Sequence, residues 1–111
     1  MQKIVGDELR PEDQRDPRGV ADAHANLETA YAWLETHMAG RAWGAGADFG
    51  LADCSAGPAL FYADWTHPIA ATLPKVRAYR ARLNARPSFA RAVDEARPYR
   101  PFFPLGAPDR D

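Results

Sequence analysis

The segment from Asp16 to Gly40 constrains the fold of this chain more than any other stretch. Apolar side chains recur in it at steps of three and four residues, the spacing that places them on one face of an α-helix: Val20, Ala23, Leu27, Ala30, Tyr31, Leu34 and Met38. Asp16-Pro17 has the form of an N-cap followed by proline at the first helical position, and Gly40 is typical of a helix end. The pattern predicts a helix of about 22 residues, roughly 33 Å long, as the backbone of a helical bundle.

Composition favours an all-α fold for the remainder of the chain. Among 111 residues there are 22 alanines, the best helix formers, against four Val, two Ile and four Thr of the β-branched class that strands favour. This length corresponds to a single domain, residues 1–111. A charged share of 26% and a net charge of −1 exclude a disordered polyelectrolyte and a wholly basic nucleic-acid binder.

Four further helices are predicted, over residues 1–9, over residues 51–65, from Pro74 and from Pro87. In the one that starts from Pro74, Val76, Tyr79, Arg80 and Leu83 are expected to face inward, the arginine by its stem only. The segment 51–65 is apolar on nearly all sides, which predicts burial at the centre of the domain, with a bend at Pro58. The tail, residues 98–111, is predicted to be non-helical and to lie back over the bundle because it holds four prolines: Pro98, Pro101, Pro104 and Pro108.

The start of the segment 51–65 has a helix-capping pattern. Gly50 is the predicted N-cap, and Asp53 lies three residues later, where its carboxylate can accept a hydrogen bond from the Gly50 amide. Phe49 and Cys54 have the spacing of a hydrophobic staple, which predicts a buried and unreactive Cys54. We therefore interpret Asp53 as a structural acid.

Metal, disulfide, membrane and nucleic-acid functions find little support. Cys54 is the single cysteine, which fits a reducing, cytoplasmic compartment, and no apolar stretch is long enough to span a bilayer. His24, His37 and His67 are dispersed in sequence and are expected to be surface or capping residues that bind no metal. Residues 1–74 carry a net charge of −6 and residues 75–100 one of +6. A nucleic-acid surface in the basic block, residues 75–100, is the less favoured alternative. Its candidate residues are Arg77, Arg80, Arg82, Arg86 and Arg91.

Several segments, in the right order along the chain, resemble the C-terminal helical domain of bacterial-type glutathione S-transferases. They are Phe49-Gly50-Leu51-Ala52-Asp53-Cys54, Pro58-Ala59-Leu60, Leu73-Pro74-Lys75-Val76 and Arg86-Pro87-Ser88-Phe89, together with the amphipathic helix from Leu27 to Met38. One departure is Gly50, because the family usually has Ser or Thr at that N-cap.

The resemblance implies a domain that binds the hydrophobic substrate and helps the protein to dimerise. Tyr62, Trp65, Phe102 and Phe103 are the candidate lining of the hydrophobic pocket, with core packing as the alternative for each. The resemblance implies that glutathione, the co-substrate, binds to a thioredoxin-like N-terminal domain, which this chain is expected to lack because its sequence contains no strand-rich stretch. Residues 1–9 are then the remnant of a longer first helix. This chain alone is predicted to bind no cofactor and to be inactive.

Two alternatives concern partners. Similar helical domains serve as assembly modules of translation factors and aminoacyl-tRNA synthetases, so a stand-alone interaction module remains open. The expected partner is a second copy of the chain or a thioredoxin-like domain. Without that domain, Ile4, Val5, Tyr31 and Trp33 are expected to be uncovered, which predicts self-association.

Overall fold

A computed structural model describes residues 1–111 and confirms the all-α prediction. It contains five α-helices and no β-strand: α1 (Gln2–Glu8), α2 (Pro17–His37), α3 (Leu51–Thr66), α4 (Pro74–Ala85) and α5 (Pro87–Glu95). Two short 3₁₀ helices, Glu12–Gln14 and Arg97–Phe102, precede α2 and follow α5. None of these helices combines the length and the apolar character needed to cross a bilayer.

The long helix α2 begins and ends where its sequence signals predict. The Asp16 carboxylate accepts a hydrogen bond from the Gly19 amide at 2.9 Å, and Pro17 occupies the first turn. Asp16 also forms an ion pair with Lys3 at 2.7 Å, which ties α1 to the start of α2. Beyond the helix, Gly40 adopts the left-handed backbone conformation, with φ of +75°, that glycine tolerates best. Local chemistry therefore sets both ends of this helix.

The centre of the bundle is α4, which packs against α2, α3 and α5. Its Val76, Tyr79 and Leu83 are among the most deeply buried apolar side chains of the core. Its first turn is capped from another helix, because the Glu35 carboxylate in α2 accepts hydrogen bonds from the Lys75 amide at 3.1 Å and the Val76 amide at 2.8 Å. The Glu35 carboxylate therefore joins α2 to the start of α4.

Helix α3 is buried on one side only, so the prediction that it lies buried on nearly all sides is wrong. Its inner face carries Asp53, Gly57, Leu60, Phe61 and Asp64, all buried. Its outer face is exposed, and the side chain of Leu51 is 87% accessible. The helix runs without interruption through Pro58. Because α4 is the helix with neighbours on several sides, α3 lies at the periphery and keeps one apolar face in solvent.

The tail is helical in its first part, contrary to the prediction for residues 98–111. Residues Arg97–Phe102 form a 3₁₀ helix, with hydrogen bonds from the Tyr99 amide to the Ala96 carbonyl and from the Phe103 amide to the Arg100 carbonyl, both 3.0 Å. Proline lacks an N–H donor, but Pro98 and Pro101 occupy positions where these two bonds do not need one. Beyond Phe103 the chain is irregular and returns to α3, where Arg110 forms an ion pair with the buried Asp64.

The apolar face expected to be uncovered is largely covered. Ile4 and Tyr31 are both buried, and the Tyr31 hydroxyl donates a hydrogen bond to the His67 carbonyl at 2.8 Å. The prediction of exposure is therefore wrong for these two residues. Val5 is half-buried. Trp33 remains 63% exposed on α2, where its ring stacks on that of His37 at 4.6 Å between centroids.

Candidate apolar ligand cleft

A cleft of about 220 Å³ opens between α3, α5 and the C-terminal 3₁₀ helix. Its wall is mostly apolar and includes Phe61, Tyr62 and Trp65 from α3, and Phe89 and Val93 from α5. Arg100, from the 3₁₀ helix, is the one charged residue of this wall. Concave sites that are lined by aromatic groups and contain a few polar groups are typical ligand sites.

Aromatic rings in and beside the cleft form one packed cluster around Trp65. Its ring centroid lies 4.7 Å from that of Phe61, 5.6 Å from that of Tyr62 and 5.4 Å from that of Phe103. Most of these pairs are tilted or edge-to-face, the arrangements that the ring quadrupole favours. The cluster holds one side of the cleft in a defined shape.

Gly57 allows α5 to approach α3 closely on the side of the cleft that α5 forms. A Cβ atom at this position would lie 3.2 Å from Cε2 of Phe89, which is tighter than normal side-chain contact. The absence of a side chain at Gly57 therefore lets the Phe89 ring pack against the inner face of α3 and complete the wall.

The structure brings together three of the four aromatic residues that were candidates for the pocket. Tyr62 and Trp65 line the cleft, and Phe103 stacks on Tyr62 at 6.0 Å without lining it. Phe103 instead borders a second groove with Tyr62 and the start of α1. Phe102 lies outside both, with 77% of its side chain exposed, which corrects its proposed position.

Sequence reasoning missed Arg100, and no local signal identified it. The guanidinium of Arg100 lies 5.3 Å from the centre of the Trp65 ring, and its side chain is 20% exposed. It forms an ion pair with the Asp111 carboxylate at the end of the tail. Arg97 pairs with the same carboxylate through two hydrogen bonds, 2.9 and 2.8 Å long. These bonds from Arg97, together with Arg100, lower the pKa of Asp111 to about 2.

One polar group among the cleft residues, the indole N–H of Trp65, has no hydrogen-bond partner. The indole Nε1 of Trp65 is buried and has no hydrogen-bond acceptor within the chain. Buried donors are rarely left without a partner in native proteins, so each such donor calls for an explanation.

The residues at the start of α3 form a structural site, separate from the cleft. The Asp53 carboxylate accepts hydrogen bonds from the Gly50 amide at 2.9 Å, from the Gly44 amide at 2.8 Å and from the Tyr79 hydroxyl. Burial acts to raise the pKa of Asp53, but these hydrogen bonds outweigh it and lower the pKa. The carboxylate is thus held charged, and its hydrogen bonds join α3, α4 and the loop between α2 and α3.

Cys54 is exposed, so the prediction that it is buried is wrong. It follows Asp53 on the helix, and a rotation of about 100° per residue directs it away from the face that Asp53 buries. Phe49 packs instead edge-to-face on Trp43, with 5.2 Å between the ring centroids. The Arg86 guanidinium carbon lies over the Phe49 ring, 3.4 Å from its centroid.

Two of the histidines that are dispersed in sequence meet in the fold. The Nδ1 atoms of His24 in α2 and His67 after α3 lie 2.8 Å apart, and Nε2 of His67 contacts the Glu28 carboxylate. Burial, together with the neighbouring His67, lowers the pKa of His24. No group of three His, Cys, Asp or Glu residues is arranged to hold a metal ion.

Two arginines of α4, Arg80 and Arg82, are engaged within the protein. Arg80 pairs with Asp64 at 3.3 Å in a buried position, which corrects the expectation that only its stem is buried. Burial lowers its pKa, although the neighbouring Asp64 opposes the shift. Arg82 donates a hydrogen bond to the Ala42 carbonyl at 2.9 Å. These contacts favour a structural role for both arginines.

Comparison with protein families now identifies the domain. The family model described as glutathione S-transferase, C-terminal domain, matches residues 17–82. The chain belongs to this family. The matched range contains α2, α3 and most of α4, including Asp53, Tyr62 and Trp65. Searches of curated proteins and of solved structures found no match.

The family match confirms the resemblance drawn from the sequence. The matched range includes the α3 side of the cleft. Phe89 and Arg100, which complete the wall, lie after the matched range in α5 and the 3₁₀ helix. The matched range thus contains the α3 wall of the cleft, and the residues after it supply the charged side.

Proposed function

We propose that this domain binds the apolar co-substrate of a glutathione transferase and contributes to its dimerisation. The observation that carries the proposal is the cleft beside Trp65, whose wall is mostly apolar and aromatic. Burial of apolar ligand surface there would supply binding free energy at about 25 cal/mol per Å². The electrophile would be held by shape and by aromatic contact, while a separate group activates the thiol.

We further propose that thiol activation comes from a thioredoxin-like domain. Activation requires a hydrogen-bond donor or a positive field next to the sulfur, which stabilises the thiolate. The Tyr31 and Tyr79 hydroxyls already donate to the His67 carbonyl and the Asp53 carboxylate. Burial is the main cause that raises the pKa of each, so neither is available as an acidic donor.

Two measurements on the 111-residue chain test this division of roles. A neutral aromatic ligand is titrated by calorimetry, and conjugation of glutathione with chlorodinitrobenzene is assayed in parallel. We expect saturable ligand binding and no conjugation above the uncatalysed rate. Robust turnover by this chain would contradict the proposed division, and absence of ligand binding would contradict the role of the cleft.

A matched pair of variants locates the binding. Ala92 lines the cleft, and Ala21 lies on the exposed side of α2. Ala92→Phe fills the cleft and is expected to abolish binding, whereas Ala21→Phe adds the same ring elsewhere and should leave binding unchanged. Equal effects of the two substitutions would place the ligand outside the cleft.

A second candidate function, an interaction module, is favoured by two exposed side chains. Leu51 on α3 and Trp33 on α2 are 87% and 63% exposed, and aromatic side chains such as Trp33 are enriched in protein interfaces. Light scattering of the wild-type chain and of Trp33→Glu and Leu51→Glu tests this surface. Dimerisation through either residue predicts a dimer that dissociates in that variant. A monomer in all three samples would contradict the dimerisation role.

A further inference from the structure

Arg100 gives the cleft a charge that an apolar substrate does not require. It is the one charged residue of the wall, and it lies against the Trp65 ring with only 20% of its side chain exposed. A guanidinium on an aromatic face and partly removed from water is well placed to bind a carboxylate. This arrangement favours a ligand that carries both an apolar body and an anionic group.

The tail of the chain supplies such a carboxylate in the present structure. Asp111 contacts Arg100, and it is held independently by Arg97 through the hydrogen bonds described above. If a ligand carboxylate takes the place of Asp111 on Arg100, Asp111 keeps its two bonds to Arg97. The exchange therefore replaces one charge-assisted contact by another and leaves no carboxylate without a partner.

The Trp65 ring supplies the apolar surface beneath the guanidinium. Trp65 lines the cleft, and the centre of its ring lies 5.3 Å from the guanidinium of Arg100. The wall therefore places an aromatic face next to a positive charge, and Arg100 is its anion-binding group.

We propose that the cleft selects small amphipathic carboxylates, with Arg100 as the specificity-determining residue and Asp111 as its internal competitor. This inference rests on the proposed function, because it names the substrate class of the same cleft. A cavity of about 150 Å³ accepts benzene. The 220 Å³ cleft therefore accommodates one aromatic ring with a short chain that carries the carboxylate.

The test compares two ligands of the same shape, phenylbutyrate and phenylbutanol, by titration calorimetry with the full 111-residue chain. In the wild type, where the ligand must displace Asp111 from Arg100, we expect phenylbutyrate to bind a few-fold more tightly. In Asp111→Asn the preference should approach about tenfold, the value of one charge-assisted contact over a neutral one. Arg100→Gln should remove this preference while phenylbutanol still binds. The control Arg91→Gln, which alters an exposed arginine paired with Glu95 on α5, should keep the preference.

Asp111→Asn tests the competition. Because it removes the carboxylate that occupies Arg100, it should tighten the binding of phenylbutyrate several-fold and leave that of phenylbutanol unchanged. Circular dichroism of each variant verifies the helical fold. An NMR shift of the Trp65 indole N–H on addition of phenylbutyrate provides a readout that is independent of affinity.

The outcomes separate this inference from the proposed function. Equal affinities of the two ligands in the wild type, or a preference that survives Arg100→Gln, would overturn the role of Arg100 and leave an apolar cleft. Equal tightening of both ligands by Asp111→Asn would overturn the competition. If neither ligand binds the wild type, both the inference and the proposed function are wrong.

Discussion

Tyr79 of α4 donates its hydroxyl hydrogen to the carboxylate of Asp53 in α3. Both side chains are almost completely buried, and the same carboxylate accepts the amides of Gly44 and Gly50. One charged group therefore joins two helices and the loop between α2 and α3. It positions the start of α3, the helix that carries Tyr62 and Trp65 into the cleft.

Asp53→Ala is expected to destabilise the domain by about 3 kcal/mol or more, because it leaves the buried Tyr79 hydroxyl and two half-buried amides without their acceptor. Asp48→Ala, an exposed acid of the same loop, is the control and should change stability by less than about 0.5 kcal/mol. Urea unfolding followed by circular dichroism measures both. Similar effects of the two substitutions would show that the network contributes little.

Gly57→Leu is expected to destabilise the domain by about 1–3 kcal/mol, the usual cost of overpacking, because the new side chain collides with Phe89. Ser55→Leu introduces the same residue on the exposed side of α3 and should be tolerated. Thermal unfolding of the pair provides the comparison. A tolerated Gly57→Leu would mean that α5 does not pack closely on α3.

Glu35→Ala removes the carboxylate that accepts the Lys75 and Val76 amides at the start of α4. The expected loss is about 1 kcal/mol, typical of a helix N-cap. Asp22→Ala, which alters an exposed acid of the same helix, should be nearly neutral. An equal loss in both variants, measured by urea unfolding, would argue for a general effect of charge on α2 and against capping.

His24 makes stability depend on pH near neutrality. Burial and the neighbouring His67 lower its pKa in the folded state below the ordinary 6.5, so the unfolded chain binds the proton more strongly. The stability that His24 contributes is thus fully present above pH 6.5. It is lost as the pH falls below 6.5 and passes through the lowered pKa of the folded state. The groups that face His24 are His67, which contacts Glu28, and the amino terminus of Met1.

Thermal unfolding between pH 5 and pH 8 tests this dependence. We expect the midpoint of the wild type to fall towards acidic pH and the slope to be flatter in His24→Gln. An unchanged slope in the variant would assign the pH dependence to another group.

The sequence predicted the helices well because their signals are local. The Asp16-Pro17 cap, the apolar spacing of α2 and the prolines before α4 and α5 act within one or two turns, and the helices begin where these signals occur. The family segments around Asp53 were recognisable for the same reason. The tail was less predictable, because a proline pattern excludes α-helix but permits the 3₁₀ helix Arg97–Phe102.

Residues distant in sequence were the ones that local reasoning misjudged. His24 and His67 are 43 positions apart and lie in contact, and Glu35 caps a helix some 40 residues later. Cys54 is exposed because α4, and not α3, occupies the centre of the bundle. No periodicity along one helix specifies which neighbour covers its face.

The sequence by itself determined which segments are helical, where they begin and which family the chain resembles, since those properties depend on neighbouring residues. Only the tertiary structure decided that Arg100 lies over Trp65 and that Asp111 returns to meet it. Such contacts depend on how helices pack and on where the tail lies. Packing free energy summed over many distant residues sets both, and no short pattern encodes that sum.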